Sequence, residues 1–226
     1  AAYALGGDGR CSCSPGDPTG CGAPPDDFVK TADVGYMLVG RLGDRDLGAS
    51  YVAVESPADI ILAGDTDRDG RIDLLATPSF SGPLTIFRNV TGHPGDTLAF
   101  VPEPITDDVT QVVFAGFLDA DGDHDADIVS IGRAGTALLL AADGQDGFAP
   151  PIETDLDAAF DAAVLGPFDA TDGASPEIAA VAGTPEIRVY EIDPALGIVP
   201  GPVTPLAGEP TDIASTPGGL VAVFGD

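Results

Sequence analysis

Apolar residues in this chain come in short runs, each cut off by a cluster of glycine, proline and aspartate. The runs are rich in β-branched and aromatic residues, as in Ile60-Ile61-Leu62, Leu84-Thr85-Ile86-Phe87, Val112-Val113-Phe114 and Ile187-Arg188-Val189-Tyr190. Such residues suit a pleated, half-buried surface, and the turn-forming clusters between them bound each strand. No helix-length window free of Gly and Pro keeps an apolar period of 3.6 residues. The segment from Leu156 to Leu165 comes nearest, and its surroundings fit a strand better. The predicted fold class is all-β.

The strands recur in a fixed unit. Gly64, Gly116 and Gly166 each close an apolar run (59–63, 111–115, 161–165) and stand 52 and 50 residues apart. After each glycine come a polar loop, a strand, a turn and a second strand (84–88, 136–140, 186–190). A looser strand then follows near 99–101, 148–150 and 198–199. Four short strands in about fifty residues are the size of one β-propeller blade. An eroded copy runs through Thr211 to Ser215 and Leu220 to Val223, with Pro217-Gly218-Gly219 in place of the loop. An early copy, Tyr36 to Gly40 and Tyr51 to Val54, holds only two strands, and its loop has Gly43 and Arg45 where later copies have aspartate. The expectation is a β-propeller-like array of four-stranded blades, about four in number, with an incomplete first unit. Residues 1–27 lack periodicity and are rich in breakers, so they read as an N-terminal arm, and 28–226 as the repeats.

Two of the loops carry aspartate at alternate positions: Asp65-Thr66-Asp67-Arg68-Asp69-Gly70-Arg71-Ile72-Asp73 and Asp119-Ala120-Asp121-Gly122-Asp123-His124-Asp125-Ala126-Asp127. Carboxylates packed this densely repel one another unless a cation lies among them. Hard divalent ions take oxygen ligands, and Ca2+ accepts about six to eight from a curled loop. The spacing therefore points to Ca2+ in both.

Composition narrows the partners. The formal charge is −28, with Lys30 the sole lysine and eight arginines, while 44% of residues are hydrophobic. High charge with high hydrophobicity describes a folded chain rather than a disordered tail. Such a surface is repelled by nucleic-acid phosphates and anionic lipid, which leaves cations and other protein chains as expected partners. No run approaches the ~20 apolar residues of a membrane span. Cys11, Cys13 and Cys21 cluster in the turn-rich arm and predict a local disulfide, Cys21 with Cys11 or Cys13, leaving one thiol over. Asn89-Val90-Thr91 is a glycosylation sequon at a predicted turn. The two histidines, His93 in a Gly-Pro turn and His124 inside a loop, show no triad context. Tryptophan is absent and tyrosines number four, so stacking platforms for sugars are scarce.

The loop text Gly64 to Leu74, the stretch Gly116-Phe117-Leu118-Asp119 to Ile128, and the strand Leu84-Thr85-Ile86-Phe87-Arg88-Asn89 resemble the FG-GAP/VCBS repeat family. The resemblance extends over roughly residues 30–226 and implies integrin-α-like propeller blades that are secreted or on the cell surface, with Ca2+ in their loops. By position it assigns Asp65, Asp67, Asp69 and Asp73 as ligands, with the carbonyl of Arg71. In the second loop it assigns Asp119, Asp121, Asp123 and Asp127, with the carbonyl of Asp125. Gly70 would supply the unusual backbone angle of the turn, where the second loop has His124. A degenerate third loop keeps Asp169 and Glu177 at charged positions, with Thr171 between them.

The functional expectation is a non-enzymatic, extracellular, calcium-binding module acting in adhesion or as an assembly subunit, including self-association by strand sharing. The alternatives are a carbohydrate-active enzyme or glycan binder on a propeller scaffold, and a fragment of a larger propeller recognition protein.

Overall fold

A computed structural model describes residues 35–40, 49–54, 58–78, 80–92, 98–144, 147–166, 168, 176–216 and 219–224, with the backbone alone for 35–40, 49–54 and 219. The cysteine arm, the early loop at 41–48, His93, Asp169 and Thr171 lie outside the described residues.

All described secondary structure is β, arranged in consecutive antiparallel sheets. A two-stranded sheet pairs β1 (Gly35–Gly40) with β2 (Ala49–Val54). Next comes a four-stranded meander of β3 (Ala58–Gly64), β4 (Asp73–Pro78), β5 (Ser81–Asn89) and β6 (Phe100–Thr110). A second meander holds β7 (Val112–Leu118), β8 (Asp127–Gly132), β9 (Thr136–Leu140) and β10 (Ile152–Asp155). A third holds β11 (Ala162–Gly166), β12 (Glu177–Val181), β13 (Glu186–Asp193) and β14 (Gly197–Pro205). The last sheet pairs β15 (Pro210–Thr216) with β16 (Gly219–Phe224). Each strand predicted before and after a loop is present.

One outer strand falls elsewhere than expected. The stretch at 148–150 makes only an isolated bridge, Ala142 with Phe148, and the fourth strand is Ile152–Asp155. Pro150 and Pro151 have no N–H to give a ladder, so pairing resumes beyond them. Prolines also mark the other outer strands, at Pro102 and Pro104 in β6 and at Pro200, Pro202 and Pro205 in β14. An outer edge tolerates proline because its outward N–H has no partner, and proline discourages stray pairing there.

The period of two along each strand sorts side chains into successive cores. In β4, Leu75 joins a cluster with Ile86, Ile128, Leu138 and Leu140, while Leu74 and Ala76 face the opposite side with Phe87. In β8 and β9, Val129, Ile131, Ala137 and Leu139 face away from that cluster into one shared with Ile178, Ala180 and Tyr190. From β12, Ala179 and Val181 join Ile213 of the last sheet. The second strand of each meander is buried along its whole length, which a sheet covered on both faces requires. Phe160 meets Tyr190 edge to face, with ring centroids 5.7 Å apart.

The repeated glycines are where first strands meet. β3 contacts β7, β7 contacts β11, and β11 contacts β15. A Cβ on Gly64 would stand 3.0 Å from the Phe117 ring, one on Gly116 3.6 Å from Leu165, and one on Gly166 3.0 Å from Ser215. The tightest neighbours at Gly116 and Gly166 are the rings of Phe114 and Phe168, at 3.0 and 2.8 Å, so each repeated glycine leaves room for a phenylalanine ring beside a first strand.

Leu139→Ala, which empties a fully buried position between two sheets, is expected to cost about 2–5 kcal/mol. Gly64→Val should destabilise through the Phe117 ring. Urea denaturation followed by circular dichroism measures both, and an unchanged midpoint for Leu139→Ala would refute sheet-on-sheet packing as the main support.

Candidate metal centres

The two aspartate loops occupy the same place in neighbouring sheets, one between β3 and β4 and the other between β7 and β8. Their local folding follows from aspartate chemistry, because a short carboxylate accepts an N–H from a residue just ahead in the chain and curls the backbone. In the first loop Asp67 Oδ1 accepts from the Asp69 amide at 3.2 Å, Asp69 Oδ1 from Arg71 at 2.7 Å, and Asp65 Oδ2 from Gly70 at 3.0 Å. The second loop repeats the set: Asp121 accepts from Asp123 at 3.1 Å, Asp123 from Asp125 at 2.7 Å, and Asp119 from His124 at 3.2 Å. The turns need left-handed backbone at the fourth and sixth loop positions. The first loop places Arg68 (φ 59°) and Gly70 (φ 80°) there, and the second Gly122 (φ 82°) and His124 (φ 71°). Each loop thus has one glycine, which adopts this backbone freely, and one side chain that does so at a cost.

The last acid of each loop is tied to the sheet. Asp73 is fully buried, and its Oδ2 accepts from the Thr66 amide at 3.1 Å and from the Thr66 hydroxyl, while Oδ1 accepts from the Asn89 amide at 2.8 Å. Asp127, 1% exposed, accepts from the amides of Ala120 at 2.6 Å and Ala142 at 2.8 Å. Glu177, also buried, accepts from the amide of Phe168, just ahead of the third loop, at 2.6 Å.

Two sets of carboxylates converge, with their oxygens within 4.8 Å of one another: Asp65, Asp67 and Asp69 in the first loop, and Asp119, Asp121 and Asp127 in the second. Asp73 and Asp123 were expected beside them. Asp73 instead lies 3.5 Å from the Arg88 guanidinium, whose Nη1 also donates to Thr66 Oγ1 at 2.6 Å. The Asp123 carboxylate caps the Asp125 amide. Burial pushes the Asp67 carboxyl above its ordinary value, aided by repulsion from Asp73 and Asp69. Burial does the same to Asp127, with Asp121 and Asp123 adding repulsion. Asp119 is held low, chiefly by a hydrogen bond with His124 Nδ1 at 3.0 Å. A buried oxygen, Asp65 Oδ1, has no hydrogen-bond partner. A buried carboxylate oxygen without a partner, on one of three converging carboxylates, suits a hard cation, so the residues fit Ca2+.

Several contributors were missed by reading the loops alone. Arg88 also pairs with Glu103 at 3.0 Å and approaches Asp67 at 3.9 Å. Its position at the end of the strand beside a dense acidic loop, in a chain with few cations, was the available signal. The sequon is folded inward: Asn89 Nδ2 donates to the Ile72 carbonyl at 3.0 Å, and Oδ1 accepts from the Thr91 amide at 3.1 Å and hydroxyl at 2.6 Å. Asn89 closes the turn after β5, and glycan attachment would require that turn to open.

Residues 65–130 match the family model described as FG-GAP-like repeat. The match starts at the first aspartate of one loop and ends beyond the second, inside β8. That stretch is similar to an FG-GAP-like repeat, the family that the loop residues resemble. No curated protein matches the chain at a significant level.

With chelator present, Asp73→Ala should cost about 3–5 kcal/mol, because Arg88 and the Thr66 and Asn89 amides lose a buried acceptor. Asp65→Asn should be neutral or stabilising, since it removes one of three converging charges. Denaturant midpoints measured in EGTA distinguish the two, and equal losses would show that the two carboxylates do the same work.

Proposed function

We propose that the chain is a non-enzymatic, extracellular β-propeller-type module, repeating through residues 28–226, that binds Ca2+ in its two aspartate loops and acts through protein–protein contacts in adhesion or assembly. The observation that carries the reading is the convergence of three carboxylates in one loop, one of them with an orphaned buried oxygen, repeated as a second convergent set in the next sheet. FG-GAP-like repeats generally serve protein–protein interaction and are generally non-enzymatic and extracellular. Successive sheets packed through their first strands are the arrangement a propeller needs. No helix among the described residues is long and apolar enough to cross a membrane.

Calcium in this reading is structural. Each loop links the first and second strands of a sheet, so an ion that neutralises its carboxylates stabilises that sheet and, through the shared cores, its neighbours. Ca2+ at about a hundred times its Kd would add ~2.7 kcal/mol per site. For a chain of this size that is roughly 5–10 °C in Tm per site. Differential scanning fluorimetry with millimolar Ca2+ against EGTA tests this, and a Tm indifferent to both rules out the calcium reading.

Self-association is favoured by one feature. β16 lies in a two-stranded sheet and exposes Val221, Val223 and Phe224, each close to half accessible. An added strand would complete the ladder and cover those residues. Light scattering coupled to size exclusion should then show oligomers that dissociate when Val221 and Val223 are replaced by lysine. A monomer at every concentration would exclude assembly through this edge.

A further inference from the structure

We propose that Arg68 is a cross-loop brace that positions the second aspartate loop for its cation, so that the two loops bind as a coupled pair. The inference rests on the calcium reading above and concerns how its two sites are regulated.

Arg68 belongs to the first loop, between Asp67 and Asp69, yet its guanidinium serves the second. Nη2 donates to the Asp123 carbonyl at 2.8 Å, and Nε pairs with the Asp125 carboxylate. These two anchors flank His124, the residue that holds left-handed backbone at φ 71°. A conformation that disfavours a side chain persists where its surroundings fix it, and here the fixing group comes from another sheet. The anchored segment spans loop positions five to seven. It includes the Asp123 side chain that caps the Asp125 amide and the His124 amide that donates to Asp119. Asp119 is one of the three converging carboxylates of that loop.

Arg68 bears its own constraint, a left-handed φ of 59° set by the turns of Asp67 and Asp69. A cation that draws Asp65, Asp67 and Asp69 together therefore fixes the root of the Arg68 side chain. Once the root is fixed, less freedom remains to be lost when the guanidinium grips the second loop. The second loop has Gly122 at the equivalent position, with no side chain to reach onward. Among the described residues the brace joins this one pair of loops.

The test is Ca2+ titration of the chelator-stripped chain, read at residues 119–127 by NMR, with amide exchange of 123–125 measured in parallel. Disabling the first loop with Asp65→Asn and Asp67→Asn should weaken Ca2+ at the second by about five- to tenfold, within the usual range of coupling between sites. In Arg68→Gln the second loop should already be weakened, disabling the first should add nothing, and amides 123–125 should exchange faster even without Ca2+. Arg68→Lys should fail to restore coupling, because an ammonium cannot span carbonyl and carboxylate with a fork. Equal coupling in Arg68→Gln, or a second loop indifferent to the first in the presence of Arg68, overturns the brace and leaves the calcium reading standing. A chain that takes up no Ca2+ at millimolar concentration overturns both.

Discussion

The buried carboxylate at the foot of each loop is the constraint on which the rest depends. Asp73, Asp127 and Glu177 each open the second strand of a sheet; the first two accept an N–H from the start of their own loop, and Glu177 from Phe168 just ahead of its loop. Asp73 and Asp127 also accept from the amide that ends the third strand of the sheet or follows it, at Asn89 and Ala142. One side chain thus joins loop, second strand and third strand where backbone ladders alone leave donors unsatisfied. Because these acids are buried, removing one leaves donors without an acceptor in a dry setting, which costs more than a surface contact gains. The exposed aspartates can then converge because the ends of their loop are already pinned.

Burial on both faces supplies the complementary constraint. A second strand covered above and below cannot alternate apolar with polar, and β4, β8 and β12 are apolar through most of their length. Each face then serves a different core, so a single strand couples two inter-sheet clusters. Stability in such an array is a sum over neighbouring interfaces. First strands of successive sheets contact one another, and glycine at 64, 116 and 166 leaves room there for the rings of Phe117, Phe114 and Phe168.

Much of this was legible in the sequence because it repeats. Strand positions, the fifty-residue unit and the loop spacing follow from local pattern, and three sheets hold the four strands of a unit while the first holds two, as read. The outer strand displaced from 148–150 to 152–155 was misplaced because Pro150 was read as part of a strand, although neither it nor Pro151 beside it can pair as a donor. Less visible was the division of labour among aspartates of one type. Asp65 and Asp73 look alike in the sequence, yet one leaves an oxygen unpartnered and the other is saturated by amides, a hydroxyl and Arg88. That distinction depends on contacts with residues some sixteen positions away, which no loop motif contains. Asn89 is a similar case: the tripeptide reads as a surface sequon, and its carboxamide is spent on the Ile72 carbonyl and on Thr91.

The distribution of the few cations sharpens the electrostatic argument. Of eight arginines in a chain of charge −28, three gather at one loop: Arg68 and Arg71 within it and Arg88 beside it. Two of the three reach the group formed by Asp65, Asp67 and Asp69, Arg71 at Asp69 and Arg88 at 3.9 Å from Asp67. Arg71 pairs with Asp69 from a largely exposed position, Arg88 saturates Asp73, and Arg68 turns away to the neighbouring loop. A guanidinium is planar and offers its donors only along its edge, as Arg88 does toward Asp73 and Glu103. Spherical coordination by several oxygens at once is what a small divalent ion provides. The protein's own cations therefore brace the frame of a loop whose converging carboxylates could hold a metal ion, and the loop that received the arginines is also the one whose buried oxygen remains unpaired.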